Sequence, residues 1–165
     1  MGFSEDLEHV RRQEGELQFS RFDAQSAWDL GSSLRTTAHD RGLSVVIDIS
    51  RFGQPLLYTA LEGTTPDNAE WVRRKSNVVA RLHRSSYAVG LALNLKNETL
   101  FDKYGLPASD YIAHGGSFPL TISGTGVIGS ITVSGLPQRD DHELVVEALC
   151  AALSCDYTSL RLPKE

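Results

Sequence analysis

Apolar positions recur at helical spacing in three long segments of the chain, and each segment has a recognisable beginning. Residues 4 to 14 carry acidic residues in the first turn, and Asp23 can cap a second helix that Gly42 ends. A third helix begins after Thr65 and Pro66, because proline at the first helical position loses no donor that the helix needs. The buried stripes are Leu7 and Val10 in the first helix, Ala27, Leu34 and Ala38 in the second, and Val78, Val79 and Leu82 in the third.

Alternating apolar and polar residues predict two β-hairpins. Residues 43 to 49 are rich in β-branched side chains, and a short turn over 51 to 55 leads into a second strand at 56 to 60. Residues 120 to 123 and 127 to 134 form the second pair of strands, around a glycine-rich turn. Two hairpins indicate an antiparallel sheet rather than the doubly wound parallel kind.

The rest of the chain reads mostly as helix. Residues 87 to 95 fit either a helix or a buried strand, and their length favours a helix; residues 99 to 104 and 107 to 113 read as short helical turns. The last helix follows Pro137, with Asp140 and Glu143 as a capping box. We therefore expect an α/β (α+β) fold, a helix-sheet-helix sandwich in one domain over residues 1 to 165.

Composition adds limits on location and partners. The 165 residues are 41% hydrophobic and 22% charged, which is ordinary for a globular protein, and the net charge of −5 argues against nucleic-acid binding. No apolar run approaches the roughly 20 residues of a membrane span, and the acidic start does not resemble a signal peptide. Cys150 and Cys155 have neither redox nor zinc spacing, so we expect free thiols and a cytoplasmic location.

The third helix is basic although the chain is acidic. Residues 66 to 86 hold five basic and two acidic side chains, so this segment is +3 and the remainder is −8. Arg74 and Lys75 lie close to Trp71 on this helix, and guanidinium and ammonium groups suit carboxylates and phosphates. The alternative is a solvated helix face whose charges pair with the acidic remainder.

A second candidate is the hexapeptide HGGSFP at residues 114 to 119. Its glycines allow the backbone to approach a ligand closely or to adopt a positive φ, while Pro119 favours an extended chain. The loop can bind an anion with His114 at its rim, or it can simply turn the chain into a strand. No histidine pair has zinc-hydrolase spacing, no serine lies in GxSxG, and His142 is expected on an exposed helical turn.

Several stretches together resemble a known family: PDNAEWVRRK, HGGSFPL and IGSITVSGLPQRDDHELVVEAL. They are similar to an uncharacterised family within the haem-degrading-domain superfamily, which includes GlcG-like proteins and a haem-binding sensor component. The resemblance implies a profilin-like fold with a five-stranded antiparallel sheet between helices, and oligomers built from dimers. It also implies a ligand site near Lys75, with Gly115, Gly116 and Pro119 as structural parts of it.

The combined expectation is an oligomeric protein that binds a small anionic ligand, with haem as a candidate. A scaffold without a ligand and a haem-degrading enzyme are the alternatives, and an enzyme is the less favoured. No catalytic residue, metal ligand, nucleic acid or membrane partner is assigned. Haem would need an axial donor, for which His83, His114, Tyr58 and Tyr87 are available. The expected ligand-binding residues are Trp71, Arg74, Lys75, His83, His114, Gly115 and Gly116.

Overall fold

A computed structural model describes residues 2–164 of the chain. Within them, the helices and strands follow in the order α1 (Phe3–Glu16), α2 (Ala24–Asp40), β1 (Val46–Arg51), β2 (Gln54–Ala60), α3 (Pro66–Leu82), α4 (Ser86–Lys96), α5 (Leu100–Tyr104), β3 (Ser117–Ile122), β4 (Gly126–Ser134), α6 (Gln138–Leu153) and α7 (Tyr157–Leu160). The two predicted hairpins are confirmed as β1–β2 and β3–β4, and the ambiguous segment at 87 to 95 is the helix α4.

The strands form one antiparallel sheet in the order β2-β1-β4-β3. The described residues give this sheet four strands, so the expected five-stranded sheet is wrong. Where a fifth strand would extend the β3 edge, the chain makes a single parallel bridge between Phe19 and Ile122. The Phe19 N–H donates to the Thr121 carbonyl and the Ser123 N–H donates to the Phe19 carbonyl, both at 2.8 Å. This short segment covers the edge without forming a strand.

Two helices, α2 and α6, pack on one face of the sheet and enclose the main apolar core. The side chains that the sheet contributes are Ile47, Ile49, Phe118, Leu120, Ile131 and Val133. They share one face because alternate residues of a strand point the same way, and the register aligns Ile49 with Ile131 and Phe118 with Ile131.

Helix α3 crosses the opposite face, over β4, β3 and β1. The strand positions on this side carry mostly polar side chains: Asp48, Ser50, Ser117, Ser130, Thr132 and Ser134. A smaller cluster, with Leu7 and Val10 against Tyr87, Ala88 and Leu91, packs α4 onto α1. The buried polar side chains of the sheet therefore lie on the face that α3 covers.

Three local predictions were wrong. The first strand begins at Val46 rather than at residue 43, and residues 107 to 113 form a turn without a helix. Helix α6 begins two residues before Asp140, with Pro137 as its N-cap, so the predicted capping box is absent.

None of the helices in residues 2–164 is long and apolar enough to cross a membrane.

Candidate functional site

A cavity of about 230 Å³ lies between α3, the start of the HGGSFP loop and the first turn of α6. We call it the polar cavity. Its walls include Asn68, Trp71, Lys75, His114, Gln138 and Asp141. The volume lies below the roughly 300–1,000 Å³ that is usual for small-molecule sites, so it suits a small ion or one end of a larger ligand.

The floor of the polar cavity is a buried ion pair between Lys75 and Asp141. The Lys75 ammonium lies 2.8 Å from Asp141 Oδ2 and donates a longer hydrogen bond of 3.3 Å to the Val133 carbonyl. The side chains are only 3% and 1% exposed. Burial lowers the pKa of Lys75 and raises that of Asp141, while the opposite charge of each partner opposes these shifts. The Leu136 N–H, 2.9 Å from Asp141 Oδ1, further stabilises the carboxylate.

Lys75 reaches this position because it lies within the buried stripe of α3. Its neighbours in the stripe are Val72, Val78 and Val79, at helical spacing. An ammonium group has three N–H donors, and the described residues accept hydrogen bonds from it at two places. One donor is thus left for a ligand in the cavity.

The upper wall combines an indole and an imidazole, and the Arg74 guanidinium, which does not line the polar cavity, packs against the indole. The rings of Trp71 and His114 lie 5.5 Å apart, and Arg74 Cζ lies 5.4 Å from the centre of the Trp71 ring. Desolvation, followed by the charges of Lys75 and Arg74, lowers the pKa of His114, so its imidazole is neutral at neutral pH. Among the described residues, neither ring nitrogen of His114 has a hydrogen-bond partner, which leaves a nitrogen lone pair available to a ligand.

The glycines of HGGSFP serve the packing of this site. The Gly115 N–H donates to Gln138 Oε1 at 3.0 Å, so it is already satisfied within the chain. Gly116 has φ +136°, and a Cβ there would lie 2.8 Å from Lys75 Nζ and also against the Val133 carbonyl. The loop therefore turns the chain into β3, where Pro119 pairs with Ser130, and it carries His114 to the cavity wall.

Three predicted donors lie elsewhere. His83 is the C-cap of α3, eight residues and roughly 12 Å of helix beyond Lys75, and its ring stacks on Phe52 at 5.5 Å. The Tyr87 hydroxyl donates to Asp6 at 3.0 Å, and Tyr58 is exposed on β2. In residues 2–164, no three His, Cys, Asp or Glu side chains cluster closely enough to hold a metal ion.

The sequence reasoning missed the α6 side of the site. Gln138 and Asp141 line the polar cavity, although the sequence suggested only a cap for this turn. Lys75 itself could have indicated a buried acidic partner, because a lysine within the apolar stripe of a helix needs a buried hydrogen-bond acceptor. The expectation that His142 is exposed is wrong: it is 0% exposed, bonds Gln13 Oε1 at 2.7 Å, and burial lowers its pKa to about 3.

A larger cavity of about 470 Å³ adjoins the first, and His114 and Gln138 line both. We call it the apolar cavity. Most of its wall comes from α4, α5 and the turn that follows, including Leu93, Leu100, Phe101, Leu106, Ile112 and Ala113. Arg74 and Glu98 are its charged members. This volume falls within the usual range for small-molecule sites.

Residues 22–150 match the family model described as haem degrading protein HbpS-like. The chain belongs to this family. A UPF0303 protein of Paraburkholderia phymatum is 61% identical over 99% of both chains. Hence the resemblance that the sequence motifs indicated is confirmed.

Solved structures share the fold. The Ybr137w protein aligns with a TM-score of 0.85 at 27% identity, covering 92% of each chain. PduOC, whose crystal structure is a complex with haem, aligns with a TM-score of 0.67 at 15% identity, over 79% of this HbpS-like chain and 94% of PduOC. At that identity the second similarity concerns the fold alone.

Proposed function

We propose that this HbpS-like chain is a single domain, spanning residues 1–165, that binds a small anionic ligand at the polar cavity. One observation carries the proposal: a buried ammonium with an unused donor and a neutral, unpartnered imidazole open onto the same space. Trp71, Lys75 and His114 are the proposed contacts within the cavity, and Arg74, which contacts the Trp71 ring and lines the adjoining apolar cavity, is the proposed contact for the part of a ligand that extends there.

The preference for an anion rests chiefly on Arg74, which lines the apolar cavity next to the polar one. Asp141 already offsets the charge of Lys75 at 2.8 Å, so that pair contributes a directed donor more than a net charge. Arg74 has no carboxylate partner among the described residues; its Nε donates to the Ala108 carbonyl at 2.9 Å, and its terminal nitrogens have no partner there. A guanidinium whose Nη1–Nη2 edge has no protein partner among the described residues suits a carboxylate or a phosphate.

Haem is the candidate ligand that the family description suggests, and PduOC shows that this fold can carry it in another protein. The residues present fit haem: His114 offers a neutral nitrogen for iron, and Arg74 with Lys75 offers donors for the propionates. The apolar cavity beside His114 supplies volume that the polar cavity lacks. Bound haem would supply a redox-active iron; the chain would supply the nitrogen and the charges.

A haemin titration followed by absorbance tests the proposal. We expect a saturable Soret shift in the wild type, and at least about tenfold weaker binding for His114→Ala, since the axial donor is lost. His83→Ala is the matched control, because His83 lies outside the cavity, and its titration should match the wild type. Equal binding by both variants would overturn the assignment of His114.

A second arm tests the anion site independently of haemin. Thermal unfolding of the wild type and Arg74→Gln is followed with inorganic phosphate and with simple dicarboxylates. A stabilisation by any of them that Arg74→Gln removes supports the anion site. If no haemin and no anion stabilises the wild type, the proposed function is wrong.

Self-association is a second candidate, favoured by the free edge of the sheet. Strand β2 lies at the outer edge, and Tyr58 is 51% exposed on it, whereas the β3 edge is covered by the bridge at Phe19. An uncovered edge strand offers unpaired N–H and C=O groups to a second copy. Light scattering on the wild type and Tyr58→Lys tests this: a dimer or larger assembly should dissociate in the variant, and a monomeric wild type would remove the candidate.

A further inference from the structure

Two side-chain amides line the polar cavity from different walls. Asn68 belongs to the first turn of α3, and Gln138 is the first residue of α6. Asn68 Oδ1 accepts a hydrogen bond of 2.9 Å from the Thr65 N–H. Gln138 Oε1 accepts one of 3.0 Å from the Gly115 N–H. Each amide is therefore held at its oxygen by the backbone of the chain itself.

These two bonds determine which end of each amide remains free. A backbone N–H can only donate, so the atom that it meets must be the amide oxygen, and the nitrogen is the free end. Neither Asn68 Nδ2 nor Gln138 Nε2 has a hydrogen-bond partner among the described residues. Gln138 is exposed, Asn68 is only half-buried, and Asn68 Nδ2 retains accessible surface. A ligand can thus reach both NH2 groups.

Together with Lys75, the two amides surround the polar cavity with N–H donors. The Lys75 ammonium, at the floor, keeps one N–H that no described residue accepts. Both oxygens of Asp141 are already engaged, one by Lys75 at 2.8 Å and the other by the Leu136 N–H at 2.9 Å. The matching ligand group carries acceptor atoms and no hydrogen of its own, as a deprotonated carboxylate does at neutral pH.

We propose that Asn68 and Gln138 select the ligand of the polar cavity by donating hydrogen bonds to a deprotonated carboxylate, which Lys75 contacts from the floor. This inference rests on the proposed function, because the anion site is the same cavity. It goes further by naming the ligand group and the two residues that recognise it. A neutral amide of the same shape has an NH2 group in place of one oxygen, so it would set a donor against a donor.

Proton–nitrogen correlation spectra of isotopically labelled protein report the two contacts directly. Succinate and its diamide, succinamide, are the probes, since they differ only in the group that is recognised. We expect the side-chain NH2 signals of Asn68 and Gln138 to shift saturably with succinate, with a dissociation constant at least about tenfold lower than for succinamide. Asn77 is the internal control: its Nδ2 already donates to the Asp110 carbonyl at 2.8 Å, so its signal should not move.

Two isosteric variants measure what each NH2 group contributes. Asn68→Asp and Gln138→Glu keep the oxygen that accepts the backbone N–H and replace only the free NH2 group by an oxygen. Each should weaken succinate binding at least about tenfold, and the loss should persist at high salt, which screens long-range repulsion. Gln54→Glu is the matched control, because it makes the same change at an exposed residue of β2 and should bind succinate as the wild type does.

A haem propionate and a free small acid present the same carboxylate, and haemin distinguishes these two sources. Weaker haemin binding by Asn68→Asp would assign the carboxylate to a propionate. Unchanged haemin binding, beside weaker succinate binding, would assign it to a free acid.

Three results would each overturn the inference: amide signals that do not move with succinate, equal affinity for succinate and succinamide, or wild-type affinity in both isosteric variants. The proposed function would survive them if an anion still stabilised the wild type and not Arg74→Gln. If succinate, phosphate and haemin all fail to bind the wild type, the inference and the proposed function are both wrong.

Discussion

Both faces of the sheet pack against helices, but one carries apolar side chains and the other polar ones. On the face under α2 and α6, the six strand side chains are apolar and none is more than 1% exposed. On the face under α3, Asp48, Ser117, Ser130, Thr132 and Ser134 are no more than 9% exposed. The strands β1, β3 and β4 therefore supply a core on one side and a set of hydrogen-bonding groups on the other.

Buried polar groups persist only where they are paired, and the α3 face shows such pairs. Ser117 and Thr132 share a hydroxyl hydrogen bond of 2.8 Å, and Asp48 accepts one of 2.8 Å from Ser50. The Lys75–Asp141 pair lies at the end of this face. The apolar face therefore supplies most of the stability, while the hydrogen bonds of the polar face fix the orientation of the side chains near the polar cavity.

The largest effect expected at neutral pH comes from a change on the apolar face. Phe118→Ala removes a side chain that is 1% exposed, so the free energy of unfolding should fall by about 4 kcal/mol through lost burial and a residual void. Ser117→Ala is the neighbouring control on the polar face, where loss of one hydrogen bond should cost only about 1 kcal/mol. Urea unfolding measures both. Equal costs would mean that the two faces contribute alike.

A second change breaks the polar face at its strongest pair. Lys75→Met leaves the Asp141 carboxylate buried without a cation, which should lower the free energy of unfolding by about 3 kcal/mol. Adding Asp141→Asn should restore more than half of this loss, because a neutral amide still accepts from the Leu136 N–H. If the double variant is as unstable as the single one in urea unfolding, the cost does not arise from the unpaired charge.

The two faces also differ in how far the sequence predicts them. Alternation is a local property, so the hairpins and the apolar strand positions could be read directly, and α3 could be placed from Thr65 and Pro66. The predicted number of five strands was based on the family resemblance. It is wrong at the edge of the sheet beside Phe19, where a single bridge stands in place of a strand.

The polar face depends on contacts between distant parts of the chain. Asp141 lies 66 residues from Lys75, and no spacing rule links them. Nor could the sequence separate His114, which the loop brings to the cavity, from His83, which caps a helix end. His142 looked exposed because its first turn is polar, but α6 turns it against Tyr87 and Phe118.

His142 provides a prediction on pH. Its pKa is about 3 when folded and near 6.5 when unfolded, so the unfolded chain binds a proton that the folded chain does not. Stability should therefore fall as pH decreases below 6.5, by up to about 1.4 kcal/mol per pH unit until pH approaches 3. In His142→Gln, the free energy of unfolding should fall less steeply with decreasing pH, because the contribution of His142 is missing. Unfolding curves across this range measure it, and parallel declines in both proteins would contradict the assignment.

The smallest expected effect concerns Asp48, a buried carboxylate whose partner is the Ser50 hydroxyl and which has no cation among the described residues. Burial raises its pKa, so its contribution to stability is favourable when protonated and is lost as pH rises through the folded value. Asp48→Asn should thus raise the free energy of unfolding at neutral pH, by less than about 1 kcal/mol, with no gain below the ordinary aspartate pKa of 3.8. Unfolding at the two pH values decides this. A variant that is less stable than the wild type at neutral pH would show that the charge of Asp48 stabilises the polar face, which would contradict the expectation that a buried carboxylate without a cation is unfavourable there.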